Sequence, residues 1–437
     1  SNDTVLVIMP VSGGPSEKVG IRQGDKIISA QEISANGGNA GVASASVDSI
    51  TVISGKNLST EKIMKTLRGK RGSVVRLGVL PYGSRHIRYV NVKRDIISNY
   101  SVDAAFIIKN NTGYIKLSKF SETSAREVSA ALAELKRKGM EKLIVDLRSN
   151  GGGLLDQCLE ICDMFLVRNA PILYTSGLRR QKTEVRASGS GKYQKLPLVV
   201  LIDQFSASAS EIFAGAMQDN DRAAIVGRRS FGKGLVQEQM HLKDGSLLRL
   251  TVAKYYTPSG RSIQKAYSGA KYEEDLFQRY LNGELFGTDS TRHTDTVKYY
   301  TAKGRVVYGG GGIQPDINIP YKSDSLYRYI NLLSNSGILY DYSFNYVTQN
   351  RNTLNARYKN VEDFKKNFVL SETMLSQVLA QGKQKGIKPD SASLRRYGAE
   401  LKILIKANIA RDLFGDSGFY YIYTSIDEDI KKAMEIL

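Results

Sequence analysis

The sequence predicts an α/β (α+β) protein in three parts: residues 3–95, a core at 98–322, and a mainly helical domain at 323–437. Three observations carry this. An apolar strand, a turn of tiny residues and a helix follow one another in "EKLIVDLRSNGGGLLDQCLEICDMFL" and again in "LPLVVLIDQFSASASEIFAGAMQDN". Short apolar runs broken by glycine fill the first part, and helical periodicity takes over after residue 323. At 437 residues the chain is also too long for one ordinary domain.

The elements follow in order. "GGPSEKVGIRQGDKI" reads as a turn, a short helical piece and a strand, and residues 29–49, rich in Gly, Ser, Ala and Asn, read as a loop. "STEKIMKTLRGKRGSVVRLGVL" is a capped helix (Leu58–Leu67), a glycine turn and a strand. In the core, "TGYIKLSKF" is a strand and "SETSAREVSAALAELKRKG" a helix with a capping-box start and a glycine stop. Strands are expected in "AAIVG", "GLVQEQMHL" and "LLRLTVAKYYT", and "GGGGIQPDINIP" closes the core. Helices such as "VEDFKKNF" and "SETMLSQVLAQGKQKG" make up the last part, expected as a separate domain.

Composition excludes several function classes. The formal charge is +19, from 62 basic and 43 acidic residues, which suits anionic surroundings such as a cell envelope. The basic residues are dispersed and no zinc-finger or RNA-binding motif occurs, so a solvated basic surface is expected and no nucleic-acid partner. Cys158 and Cys162 lie on one face of an expected helix and read as core residues. Three scattered histidines argue against a histidine metal site, and no metal or cofactor is expected. No apolar run approaches the ~18 residues of a membrane helix. The Ser1–Asn2 start reads as a cloning scar, with any export signal outside this chain.

Two stretches point to chemistry. "SASASEIFAG" places hydroxyls where a strand turns into a helix, and unpaired N–H groups and the positive dipole end collect there. Such serines are most often helix caps; beside a base, one of them is a nucleophile. G-x-S-x-G is absent. "GRRSFGKGLVQ" sets Lys233 between glycines with apolar residues on both sides. It is a near miss for a phosphate loop, excluded because Gly234 stands where Ser or Thr must hold magnesium and a strand pattern follows. A lysine buried among apolar neighbours loses its proton more readily, and serine with neutral lysine is an alternative to serine with histidine.

"SASASEIFAGAMQDNDRAAIVGRRSFGKGLVQ", "LIVDLRSNGGGLL", "YYTPSGRSIQ" and "GGIQPDI" resemble, in order, the signatures of the C-terminal processing peptidases, or tail-specific serine proteases. "GPSEKVGIRQGDKI" resembles a PDZ domain, although the glycine loop that grips a peptide carboxylate is not found ahead of "DTVLVIMPV"; the chain is expected to begin inside that domain. The resemblance implies a crotonase/ClpP-like core and a Ser-Lys dyad, with Ser208 as nucleophile, Lys233 as base and Gln237 orienting the amine. It further implies the Ala209 and Gly152 N–H groups as oxyanion donors and Ser206 and Ser210 as supporting residues. Partners would be protein substrates held by their C-terminal tails, and the location the periplasm or cell envelope. The alternative is a catalytically silent relative acting as a PDZ adaptor.

Overall fold

The computed structural model describes residues 4–11, 13–33, 50–97, 100–265, 271–287, 297–322 and 324–437. The chain divides into two compact units: residues 1–99 with 340–359, and 100–339 with 360–437.

In the first unit, strands β1 (Val5–Leu6), β2 (Lys26–Ile33), β3 (Thr51–Val52), β4 (Val74–Leu80) and β5 (Arg88–Lys93) form an antiparallel sheet in the order β1-β2-β4-β5, with β3 beside β2. Helix α1 (Pro15–Lys18) precedes β2, and α2 (Thr60–Leu67) precedes β4. Ser59 caps α2 by accepting the Lys62 N–H at 3.3 Å. The core is aliphatic: Ile21, Ile27, Val75, Val79 and Val92, with Ile63 and Leu67 of α2 against it. An apolar cavity of about 730 Å³ opens between the Val7–Val11 segment, Leu67 and Val75. The stretch expected as a loop begins as strand, since Ser29–Ile33 pairs with β4; residues 34–49 lie outside the described residues.

The second unit is built on a six-stranded sheet. Its strands are β6 (Val102–Ile107), β7 (Thr112–Leu117), β8 (Lys142–Asp146), β11 (Leu198–Ile202), β12 (Ala224–Gly227) and β17 (Ile317–Asn318), in the order β17-β12-β11-β8-β7-β6. All pairs are parallel except β6 with β7. The crossovers are α3 (Ser124–Arg137), α4 (Leu155–Asp163) and α5 (Ala209–Asp219). A second, antiparallel sheet joins β9 (Pro171–Gly177), β10 (Arg180–Arg186), β13 (Leu235–His241) and β14 (Leu247–Tyr256) in the order β10-β9-β14-β13. Helix α6 (Lys271–Leu281) follows β14, and β15 (Lys298–Tyr300) pairs with β16 (Val306–Tyr308).

A parallel strand buried on both faces reads as a continuous apolar run, as all of β11 does, and both faces of such a sheet need a cover. Leu143, Val145, Val200 and Ile202 share one cluster with Val128, Leu132, Ile161, Cys158 and Phe213 of α3, α4 and α5. Ile144, Val199, Leu201 and Val226 share another with Ile430 and Ala433. These last two belong to the final helix.

The helices after the sheet are α7 (Tyr327–Asn335), α8 (Ile338–Arg357), α9 (Val361–Asn367), α10 (Glu372–Gln384), α11 (Ser391–Tyr423) and α12 (Glu428–Ile436). The sequence suggests a separate domain at 323–437; in the structure residues 340–359 group with the first unit, and the residues before and after them with the second. Most of α8 groups with the first unit and the rest with the second, because α12 and the end of α11 supply the apolar layer that the sheet's second face requires. Helix α11 bends at Gly415 (φ 73°, ψ −170°). Ile430 is 1% exposed, so Ile430→Ala should destabilise the second unit by about 2–5 kcal/mol. Denaturant titration checks this; an unchanged midpoint would mean that α12 is only loosely attached.

Candidate active site

Two turns at the C-terminal ends of β8 and β11 meet, and hydroxyl and amide side chains stitch them together. From the β11 turn, Ser206 Oγ donates to Leu147 O at 2.8 Å and Ser210 Oγ to Asn150 O at 2.9 Å, while the Ala207 N–H reaches Asn150 O at 3.0 Å. Asp203 answers by accepting the Ser149 N–H at 2.9 Å. Asn150 is fully buried; its Nδ2 donates to Leu117 O at 2.9 Å and its Oδ1 accepts the Gly152 N–H at 2.8 Å.

Ser208 stands where the β11 turn becomes α5, at φ 57° and ψ −114°. A non-glycine residue held there is strained, and such strain collects at working positions. Its neighbour Gly152, at φ 96°, has no room for a side chain: a Cβ would lie 2.6 Å from Ala207 O and 2.8 Å from Ser208 Cβ. The Ala209 N–H, first in α5, meets no acceptor among the described residues. It points the positive end of the helix at the space beside Ser208.

The lysine loop, residues 228–234 between β12 and β13, is held by one carboxylate. Glu211 is 0% exposed; its Oε2 accepts the N–H groups of Ser208 (2.9 Å) and Lys233 (2.8 Å), and its Oε1 those of Gly232 (2.6 Å) and the Ser230 hydroxyl (2.6 Å). Burial pushes the Glu211 carboxyl above its ordinary range, and these four donors pull it back. The main chains of the serine and the lysine thus meet on a single oxygen. Ser230 Oγ also accepts the Ile313 N–H (2.6 Å), and Gln264 Oε1 accepts the Gly234 N–H (2.8 Å).

The Lys233 side chain itself is exposed, contrary to the expected burial. The buried parts are its glycines: a Cβ on Gly234 would meet Gln264 N at 2.9 Å, and one on Gly232 would meet Lys265 Cβ at 3.0 Å. Packing the loop's backbone so tightly turns the side chain between them outward. Gln237 is exposed on β13 opposite Thr251, and among the described residues its side chain shares no hydrogen bond with Lys233. A lysine that is buried near this loop is Lys265. Lys265 Nζ lies 3.8 Å from the centre of the Phe231 ring and 3.3 Å from Asp275, and burial lowers its pKa against the pull of Asp275. Nothing in "RSIQK" marks it out. Glu211, by contrast, has a sequence signal: Ser208-Ala209-Ser210-Glu211 is the S-x-x-E of a capping box. Among the described residues no cluster of His, Cys, Asp and Glu is arranged to hold a metal.

A strained serine at a helix N-terminus, next to an anchored lysine loop at the carboxyl ends of parallel strands, is the layout of an α/β serine hydrolase. Comparison with known proteins narrows the class: residues 111–273 match the model of Peptidase family S41, and residues 329–415 match a family of unknown function (DUF8443). The chain is 38% identical over 291 residues to the carboxyl-terminal-processing protease of Picosynechococcus sp., covering 66% of this chain and 64% of that one. It is 34% identical over 261 residues to the carboxy-terminal processing protease CtpA of Bacillus subtilis, covering 60% and 51%. The chain thus spans between about half and two thirds of the length of these relatives. A solved structure of a photosystem II D1 C-terminal processing protease matches at 26% identity with a TM-score of 0.37, over 74% of this chain and 70% of that one.

Glu211→Gln should be far from conservative. It replaces one of two accepting oxygens by a donor, leaving at least one buried N–H without an acceptor at about 1–3 kcal/mol. Hydrolysis should fall more than tenfold, with a lowered thermal transition; wild-type turnover in this variant would show that the joint is dispensable.

Proposed function

We propose that the chain is a serine endopeptidase that acts on protein C-terminal regions through a Ser208–Lys233 dyad. The observation that carries this reading is the joint at Glu211, which fixes the Ser208 and Lys233 main chains to one carboxylate oxygen. Neutral Lys233 takes the proton of Ser208 Oγ as the oxygen attacks the scissile carbonyl carbon, then gives it to the departing amine. Water completes the cycle by hydrolysing the acyl-enzyme. The Ala209 N–H stabilises the oxyanion. Gly152 is its expected partner, for which its N–H has to leave Asn150 Oδ1. Gln237 orients the amine once substrate covers the exposed lysine and desolvates it.

The first unit serves as a PDZ-like reader of the tail. Its apolar cavity suits hydrophobic C-terminal side chains, with Arg68 and Arg94 among the residues lining it. Tethering raises the local concentration of a captured tail at the catalytic core, a crotonase/ClpP-like fold in this reading. The charge of +19 fits a protease of the periplasm or cell envelope. Among the described residues no helix is long and apolar enough to cross a membrane.

Ser208→Ala and Lys233→Ala should each reduce cleavage of unfolded casein by more than about 10²-fold while leaving the thermal transition nearly unchanged. Lys233→Ala at a tenth of the wild-type rate or better would remove lysine from the mechanism.

A further inference from the structure

We propose that Asp429, on the first turn of α12, is a positioning residue of the active site that sets the spacing of the two catalytic turns; the inference rests on the peptidase reading above. Asp429 touches none of the candidate reacting groups. It is 4% exposed, and its Oδ2 accepts from two arginines at once: Arg148 Nη1 at 3.0 Å and Arg228 Nη2 at 3.1 Å. Arg148 leads directly into the Ser149–Gly153 turn, and Arg228 into the loop that ends in Lys233. One oxygen near the chain's last residues therefore joins the oxyanion side of the site to the base side, across the sheet from Glu211.

The rest of the cluster is built around that joint. Asp146, fully buried, accepts the Arg148 N–H (2.9 Å), its Nη2 (2.6 Å), the Tyr114 hydroxyl (2.8 Å) and Lys116 Nζ (3.3 Å). Asp427 takes Arg148 Nη1 at 3.0 Å and caps α12 through the Ile430 N–H at 3.2 Å. Arg228 spends its remaining reach on Ile319 O at 2.8 Å and lies over the Tyr321 ring, 4.4 Å from its centre. A helix attached only by apolar packing would need neither arginine. If the carboxylate left, buried Arg228 would have no acidic partner among the described residues, while Arg148 would stay on Asp146 and Asp427, so the link between the two turns would be broken and the Arg228 side free to shift. A displacement of about 1 Å at either turn is enough to cost about 10²-fold in rate.

The test uses the full chain and steady-state cleavage of a short peptide, with casein cleavage by the wild type as the check on the peptidase reading itself. Asp429→Asn keeps the shape and removes the charge; kcat should fall at least about tenfold with KM within about twofold. Arg228→Lys, which keeps a charge but not the fork, should act in the same direction, and the double variant should lose no more than the worse single one. Glu435→Gln, exposed on the same helix, should match the wild type. If the wild type cleaves casein and Asp429→Asn retains its kcat, the proposal is overturned, even where the thermal transition drops. If Asp429→Asn does not fold, Arg228→Lys decides alone, and unchanged kcat there overturns the proposal equally. A wild type that cleaves nothing refutes the peptidase reading instead.

Discussion

A carboxylate with no exposed surface, and with no ion pair among the described residues, is an expensive thing to keep inside a protein, and the candidate site is organised around offsetting that expense at Glu211. Removing an ionised group from water costs several kcal/mol unless its lone pairs are filled. Three backbone N–H groups and a hydroxyl fill them here, at 2.6–2.9 Å. Backbone donors cannot rotate away, so satisfying the charge fixes the main chain of Ser208 and of the Gly232–Lys233 segment together. The strained φ of Ser208 persists because this carboxylate and the Asn150 contacts of its neighbours over-determine it.

Much of this was legible in the sequence, for a reason that differs from element to element. The two strand–turn–helix units declare themselves because a turn that must pack against another turn can hold only tiny residues, as the contacts of a Cβ on Gly152 or Gly153 make plain. Lys233 is conspicuous for the same reason, its flanking glycines being where side chains cannot fit. The apolar residues on both sides of the loop suggest a buried lysine, whereas the loop buries its glycine backbone and leaves the side chain exposed. The Glu211 spacing signals a cap. It cannot signal that the same carboxylate also serves a loop that follows β12, since that contact depends on the tertiary fold.

The C-terminal region shows the limit of periodicity more sharply. Amphipathic helices after residue 323 announce that each has an apolar face, but not which surface covers it. The β-strands are equally silent, because a continuous apolar run says that both faces are buried without naming the partners. Asp427 looks like an ordinary helix cap, Asp429 like a first-turn acid completing a helix dipole, and Arg148 like part of a turn signature. Only the fold brings them into one cluster.

That cluster has a consequence for how the molecule comes together. Arg148 and Asp429 are 281 residues apart, so their contact closes nearly the longest loop available in the second unit. Loop closure of this kind is entropically unfavourable until other structure has shortened it, and topologies dominated by such contacts fold slowly. The sheet and its α3–α5 layer can collapse early on shorter-range contacts. The second face stays uncovered, and Arg228 lacks its carboxylate partner, until α12 arrives. The tie between the two turns is therefore completed only when the last helix docks.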